Sequence, residues 1–155
     1  MKQARTDNSA SVSLAVPCRP EYVSLCRLVV GSLGMREGLE EEDVADLKVA
    51  VSEAFTCFLG GADEYAGTRP AVIPEDARVR IDFEVDPGEW TILVSNPDQL
   101  LGTNGQCRAR LEAEDNLGIT ILRALLDSVE VEGDSAQGTE LRLVKRMSSP
   151  SDSEE

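Results

Sequence analysis

Residues 44–58, VADLKVAVSEAFTCF, form the most regular stretch of this sequence. Their large apolar side chains recur every three or four residues, which is the spacing of one face of an α-helix: Val44, Leu47, Val51, Phe55 and Phe58. Four acidic residues, 40–43, come just before the stretch, where the helix macrodipole favours negative charge. The pattern predicts a helix that ends before the glycine pair at 60–61.

Glu53 lies on the side of this predicted helix that faces away from the large apolar residues. The simplest interpretation is a solvated residue on a polar helix face. However, the same side carries Val49, Ala50 and Ala54, so we expect another part of the protein to cover it in part. A sheltered carboxylate without a Lys or Arg one turn later is a candidate general base.

The rest of the chain divides into short elements separated by glycine and proline. Their order, β-α-α-β-β-α-β-β, predicts an α+β fold: a two-layer sandwich of a mainly antiparallel sheet with helices on one face. The predicted segments are a strand at 13–16, helices at 20–34, 40–59 and 117–125, and two hairpins at 79–94 and 129–143. We expect a disordered arm at 1–12, one domain at 13–146 and a disordered acidic tail at 147–155. The polar stretch 97–115 is a lid candidate.

Composition narrows the possible functions. The net charge is −14, so the chain has no basic surface with which to bind nucleic acid or an anionic membrane. A partner protein with a basic surface would suit this acidic chain better. The sequence lacks histidine and CxxC pairs, which excludes most zinc sites and histidine-based catalysis. We expect a cytoplasmic protein with structural thiols at its four cysteines: Cys18, Cys26, Cys57 and Cys107.

Two segments carry a family resemblance. Residues 16–59, VPCRPEYVSLCRLVVGSLGMREGLEEEDVADLKVAVSEAFTCFL, resemble the anti-sigma-factor serine kinases of the RsbW and SpoIIAB type, in the GHKL ATPase superfamily. Residues 116–145, NLGITILRALLDSVEVEGDSAQGTELRLVK, are similar to the closing segment of that family. The resemblance implies a Bergerat-type ATP site between sheet and helices, a homodimer, a bound sigma factor, and an anti-sigma-factor antagonist phosphorylated on serine.

The resemblance also implies roles for three residues. Glu53 matches the acidic residue that activates the attacking hydroxyl. Cys57 stands where the family has an asparagine that supplies an oxygen to magnesium, and a thiol is a poor ligand for that ion, so we expect no metal. Arg27 matches a first-helix arginine that contacts both the sigma factor and the antagonist; a solvent-facing Arg is its simpler interpretation.

The implied nucleotide site departs from the family pattern. An amide and a carboxylate, in SNPDQL, replace the aspartate and glycine that hold adenine, and Asn116 replaces the first glycine of the next motif. Acidic residues before that motif would repel a triphosphate. A turn glycine and strand threonine match the last motif, although they also suit an ordinary hairpin. The degenerate site comprises Asn96, Asp98, Gly118, Gly138 and Thr139.

The sequence therefore leaves three functions open. We expect a partner-switching regulator that binds a sigma factor or its antagonist, with ATP binding and kinase activity weakened or lost and no cofactor. The alternative is an active serine/threonine kinase that binds Mg-ATP and phosphorylates an antagonist. The third is a regulator of another pathway built on the same fold.

Overall fold

The protein is described here from a computed structural model, which covers residues 10–59, 75–97, 117–132 and 140–147. Its helices and strands follow the predicted order, which confirms the α+β fold class. The strands are β1 Ala10–Pro17, β2 Arg78–Asp86, β3 Glu89–Ser95, β4 Ser128–Glu132 and β5 Glu140–Arg146. The helices are a 3-10 turn Pro20–Tyr22, α1 Val23–Arg36, α2 Glu41–Phe58 and α3 Leu117–Leu125.

The five strands form one sheet in the order β1-β2-β3-β5-β4, and every neighbouring pair is antiparallel. Side chains alternate between its two faces, so each strand contributes every second residue to the core. The helices pack on that core face. Its fully buried strand residues are Val79, Ile81, Phe83, Val85, Trp90, Ile92, Val94, Leu141 and Leu143.

The buried stripe of α2 is wider than predicted. Ala50 and Ala54, assigned from the sequence to the covered far side, are fully buried in the core with the large apolar residues. Alanines at these positions extend the apolar stripe sideways and let the helix approach the sheet closely. Glu53 therefore lies at the edge of the buried stripe and is half-buried, whereas Val49 is exposed.

The predicted end of α1 at Gly34 is wrong, because the helix continues to Arg36. Gly34 is buried against α2, and a Cβ there would lie 2.7 Å from Val44 Cγ2. Gly38, whose φ is 72°, terminates the helix two residues beyond Arg36. Its N–H donates to Met35 O and that of Leu39 to Gly34 O, at 3.2 Å and 3.0 Å, which is a Schellman motif.

Smaller differences concern the edges of elements. β1 begins at Ala10, so residues 10–12 lie in a strand paired with β2 rather than in a disordered arm. Met147, assigned to the tail, is 9% exposed, and its N–H donates to Gly88 O. In α3, Leu117 is 71% exposed, whereas Ile119 is buried. Strand pairing decides where β1 begins and how Met147 is held, and the rotation of α3 decides which of its residues are buried. The polarity of the side chains in the sequence does not indicate either of these.

Candidate functional site

The C-terminal end of α2 lies at the end of the sheet where β3 finishes. Cys18 Sγ donates to Phe58 O, the last carbonyl of α2, at 3.1 Å. The Cys18 N–H donates to Ala77 O at 2.9 Å. Ala77 leads into β2, in which Arg80 pairs with Ser95, the last residue of β3. Contacts through β1 and β2 thus join the end of α2 to the end of β3.

Lys145 marks the opposite end of the domain. Its Nζ donates to Leu125 O, at the end of α3, at 3.0 Å. It also lies 3.5 Å from Asp46 Oδ2 and 3.9 Å from Asp43 Oδ1, in the first turns of α2. The beginning of α2 and the end of α3 therefore meet at β5. Since α3 ends here, its beginning points toward the end of the sheet that holds Ser95.

The fold accordingly brings three of the predicted site residues to one end. Glu53 lies in the second half of α2, Asn96 directly follows β3, and Gly118 is the second residue of α3. Asp98, Gly138 and Thr139 lie outside the described residues.

Glu53 is half-buried. Among the residues that the structure describes, none donates a hydrogen bond to its carboxylate or forms an ion pair with it. It therefore offers two acceptor oxygens at this end of the domain.

Cys57, one turn after Glu53, is half-buried and packs against the hydrophobic core. A small, weakly polar thiol suits that apolar contact. The side chain thus contributes to packing in the place where the sequence resemblance implies a metal-binding amide.

Asn96 is 4% exposed, which is unusual for an amide side chain. Its Nδ2 atom is buried and makes no hydrogen bond with the described residues, although the residue has another polar or electrostatic contact. The amide lies at the end of the core layer, between the end of β3 and the helices.

The prediction of structural thiols is confirmed for Cys18 and Cys26. Cys18 and Cys26 are 2% and 0% exposed, and burial raises the pKa of each thiol to about 11. Such thiols stay protonated and unreactive at neutral pH. Cys107 lies outside the described residues.

Arg27 is exposed on α1. The contacts of α1 with α2 run from Gly34 beside Val44 to Gly31 beside Lys48, so the two helices are antiparallel. Arg27, one turn before Gly31, is therefore level with the second half of α2. It lies on the surface at the same end of the domain as Glu53.

Sequence reasoning missed the role of Lys145. The alternation that buries Leu141 and Leu143 also points residue 145 toward the core layer. A lysine at such a position needs acidic or carbonyl partners, and this is the signal in the sequence. The sequence explains Asp43 through the helix macrodipole, and the ion pair with Lys145 adds a tertiary reason for it.

Within residues 10–59, 75–97, 117–132 and 140–147, no three Cys, Asp or Glu side chains are grouped so that they could hold a metal ion. No helix in this part of the chain has both the length and the apolar character needed to span a bilayer.

Residues 16–145 match the family model described as "Histidine kinase-like ATPase domain". The chain belongs to this family. Among curated proteins it is similar to the serine-protein kinase RsbW of Bacillus pumilus, with 32% identity over 80% of this chain and 79% of that protein. It is 31% identical to RsbW of Bacillus velezensis, over 80% and 79% of the two chains. RsbW of Halalkalibacterium halodurans shares 29% identity over 84% and 81%.

These similarities place the protein in the RsbW type of the family, as the resemblance of residues 16–59 implied. The matched region begins at the end of β1 and ends at Lys145, so it includes all three helices and the end of β3 that Asn96 follows.

Proposed function

We propose that this RsbW-type protein is a partner-switching regulator that captures a sigma factor or its antagonist, and that its nucleotide binding and kinase activity are weakened or lost. Family membership supports the kind of partner. The proposal that nucleotide binding and kinase activity are weakened or lost rests on Cys57, whose side chain packs against the core one turn after Glu53.

The side chains at this end do not fit a magnesium ion. Mg²⁺ requires octahedral oxygen ligands, and the residue one turn after Glu53 is a thiol that packs against the core, where an oxygen ligand would be needed. Phosphoryl transfer depends on positioning and charge stabilisation of the phosphates, much of which the metal provides. Without that metal, no phosphate would be positioned for the reaction in which Glu53 would act as the general base.

The fit to adenine is better. The Asn96 amide has both a donor and an acceptor, and its burial at the end of β3 gives it the dry surroundings in which a hydrogen bond to a base is strong. Asn96 would hold the base without the negative charge that the family uses there. We therefore expect residual nucleotide binding to be weak and insensitive to magnesium.

Nucleotide titration tests this half of the proposal. Calorimetry with ATP, with and without Mg²⁺, should give an affinity that magnesium changes by less than about twofold. In the Cys57→Asn variant the amide oxygen returns, and magnesium should strengthen ATP binding by about tenfold or more. Wild-type protein that binds ATP tightly and only with magnesium would refute the proposal.

Partner capture is the function left to the domain. Arg27 is exposed on α1, and Leu28 and Met35 on the same helix are 69% and 82% exposed. A cation beside exposed apolar side chains is a common composition for the centre of an interface. We assign this surface of α1 to the partner, and we propose a homodimer as the capturing unit.

An alanine substitution tests the surface. Each sigma factor and each antagonist from the source genome would be co-expressed with the protein, and a complex that forms would be measured by calorimetry. Arg27→Ala should weaken binding at least tenfold. Arg123→Ala, exposed on α3 and away from this surface of α1, is the matched control and should change affinity less than about threefold. Equal effects of the two substitutions would contradict the assignment.

An active serine kinase is the second candidate. It is favoured by Glu53, whose carboxylate lies at the same end of the domain as Asn96 and Gly118. Incubation with Mg-ATP and the antagonist, followed by mass spectrometry, would detect phosphoserine. Phosphorylation that Glu53→Ala abolishes would establish this candidate and exclude the first.

A further inference from the structure

β1 lies at one edge of the sheet, and within the described residues its only neighbouring strand is β2. Just after β1, the Cys18 N–H donates to Ala77 O at 2.9 Å, in the same register as the β1–β2 pairs. Hydrogen-bonded pairs of an antiparallel ladder occur at every second residue. The even-numbered residues of β1 therefore bond to β2, and the backbone N–H and C=O groups of the odd-numbered residues point away from the sheet.

The outward-pointing backbone groups belong to Ser11, Ser13 and Ala15, and we name them the β1 edge. Among the described residues, no backbone group outside the sheet ladder bonds to them. Pro17 closes the row, because it has no N–H and its carbonyl accepts from the Arg19 N–H at 2.8 Å. The β1 edge thus offers three donors and three acceptors in a line to an extended chain.

The two edge strands of the sheet differ in their protection. β4 is five residues long and carries the exposed carboxylates of Glu130 and Glu132. Short length and charge are common features that keep an edge strand from pairing with another chain. β1 has eight residues and no charged side chain. An edge of this kind is suited to strand addition, in which an extended segment of another protein joins the sheet.

On the helix side of the sheet, the apolar layer is incompletely covered at β1. Val12 and Leu14 are half-buried and pack against the core. Their partners on β2, Phe83 and Ile81, are fully buried. The apolar layer therefore reaches β1, where part of it stays in contact with water. Apolar side chains on an added strand would cover that part.

On the other side of the sheet, β2 carries charges whose sign changes along the strand. The basic residues come first and the acidic residues follow: Arg78, Arg80, Asp82, Glu84 and Asp86. Arg80 Nε lies 3.0 Å from Asp82 Oδ1, so the charges of these two partly cancel. Glu84 and Asp86 keep the second half of the strand acidic, and Arg78 keeps its beginning basic.

The β1 residues beside these charges are small. Ala15 pairs with Arg80, Ser13 with Asp82 and Ser11 with Glu84, and paired residues point to the same face. Long charged side chains on an added strand could therefore lie across β1 and reach β2. The charges on β2 require such a strand to be acidic near Ala15 and basic near Ser11.

We propose that the β1 edge binds an extended segment of a partner protein that runs antiparallel to β1, with apolar residues alternating with charged residues that change from acidic to basic along the segment. The apolar residues would lie beside Val12 and Leu14. The antiparallel direction is the more stable pairing per residue. This docking site is separate from the surface of α1 and goes beyond the proposed function.

A second copy of β1 would fit this edge less well. Its side chains on the charged face are serine and alanine, which are uncharged and too short to reach across to β2. The change of sign along β2 would then have no counterpart. A segment with charged residues supplies one, so the charge pattern favours a different protein.

A synthetic peptide tests the proposal on the full chain. The probe is the heptapeptide Val-Glu-Val-Lys-Val-Lys-Val, capped at both ends and labelled with a fluorophore, whose residues would lie opposite residues 16 to 10 in that order. Fluorescence anisotropy at nanomolar peptide should show saturable binding with a Kd on the order of 100 µM.

Methylation of single peptide nitrogens distinguishes strand addition from other modes of binding. The N–H of the first lysine would face Ser13, so N-methylation of this lysine removes a backbone hydrogen bond and should weaken binding at least about tenfold. The N–H of the central valine, the preceding residue, would point away from β1. N-methylation of this valine is the matched control and should change the affinity less than about threefold.

Substitutions at Ser13 test the same contact from the side of the protein. Ser13→Pro removes an outward N–H without removing a bond to β2, and it should weaken peptide binding at least about tenfold. Ser13→Ala keeps the N–H and loses only the hydroxyl that donates to Asp82, so it should stay within about threefold of the wild type. Circular dichroism and thermal melting confirm that both variants are folded.

A pair of charge variants tests the direction of the bound segment. Glu84→Lys places a cation next to the second lysine of the probe and should weaken binding at least about fivefold. Glu130→Lys, on β4 at the other edge, changes the net charge equally and should change the affinity less than about twofold.

Absence of saturable binding to the folded wild type would overturn the proposal, and an edge already occupied by a second copy or by the protein's own chain would give this result. Equal effects within the methylation pair, the Ser13 pair or the charge pair would overturn it as well. The assay contains no sigma factor, antagonist or nucleotide, so its outcome is independent of the proposed function.

Discussion

The α1–α2 contact gives a sharp prediction from two glycines one turn apart. A Cβ on Gly34 would lie 2.7 Å from Val44 Cγ2, whereas a Cβ on Gly31 would lie 3.1 Å from Lys48 Cε. Val44 is β-branched and has one preferred rotamer in a helix, so its methyl group cannot move away. The Lys48 stem is flexible and can give way. Gly34→Ala and Gly31→Ala should therefore have opposite effects on stability.

The magnitudes follow from two terms. Alanine in place of glycine inside a helix gains about 1 kcal/mol. Overpacking costs about 1–3 kcal/mol, and the short contact at Gly34 places its cost toward the upper end. Gly34→Ala should then lose about 1–2 kcal/mol, which lowers Tm by about 2–8 °C in a domain of this size. Gly31→Ala should gain about 0.5–1 kcal/mol, since only a lysine stem has to move.

Thermal and urea unfolding at one fixed protein concentration would measure both variants. The added variant Gly34→Ala/Val44→Ala removes the obstructing methyl groups, so the double change should be less damaging than the sum of its parts by about 1 kcal/mol. If Gly34→Ala raises Tm as much as Gly31→Ala does, the close approach of the two helices at Val44 is wrong.

Two further predictions concern buried polar groups. Lys145→Met leaves Leu125 O without its donor and Asp43 and Asp46 without a cation, so urea unfolding should show a loss of stability on the order of 2 kcal/mol. The control Arg146→Met breaks only the exposed pair with Glu89 and should lose less than about 1 kcal/mol. Equal losses in the two variants would contradict the buried role of Lys145. Burial raises the pKa of the Cys18 and Cys26 thiols to about 11, so the folded protein keeps these thiols protonated at a pH at which the unfolded chain ionises them. The stability of the fold is therefore unaffected by the two thiols below pH 9. As the pH rises from 9 toward 11, the free energy of unfolding should fall by about 2–3 kcal/mol per thiol. Urea unfolding between pH 8 and 10.5 should show a steeper loss in the wild type than in a Cys18→Ala/Cys26→Ala variant, and parallel curves would show that the two thiols are not buried.

The large features of the fold could be predicted because each rests on a pattern within one element. The stripe in α2 and the alternation in β2 each identify a core face without knowledge of any neighbour. Features that depend on two elements were missed. Gly34 looks like a helix end in sequence, and only the approach of Val44 shows why the helix continues through it. Ala50 is small enough for either helix face, so burial against the sheet had to decide.

The candidate site also has features that the sequence predicts and features that only the fold shows. The sequence located Glu53, Asn96 and Gly118 on three separate elements, and the topology brings them to one end of the domain. The family resemblance supplied the roles, because nothing in the spacing of these residues along the chain relates them to a nucleotide. Lys145 joins α2, α3 and β5 at the far end, so it fixes the directions of the two helices that carry Glu53 and Gly118.

Substitution of Cys57 tests both the proposed loss of magnesium binding and the contribution of the thiol to packing. Its thiol lies half-buried against the core, so Cys57→Asn introduces a polar amide into an apolar contact and should lower the unfolding free energy by about 1 kcal/mol. The same variant should gain magnesium-dependent ATP binding, and saturating Mg-ATP should then restore the loss through ligand linkage. Cys57→Ser is the matched control, because it adds a small polar group that is too short to replace the amide. Thermal melting of the three proteins with and without Mg-ATP would show both effects. If Mg-ATP raises the Tm of the wild type as much as that of Cys57→Asn, the thiol does not impair the site and the protein binds nucleotide as its kinase relatives would.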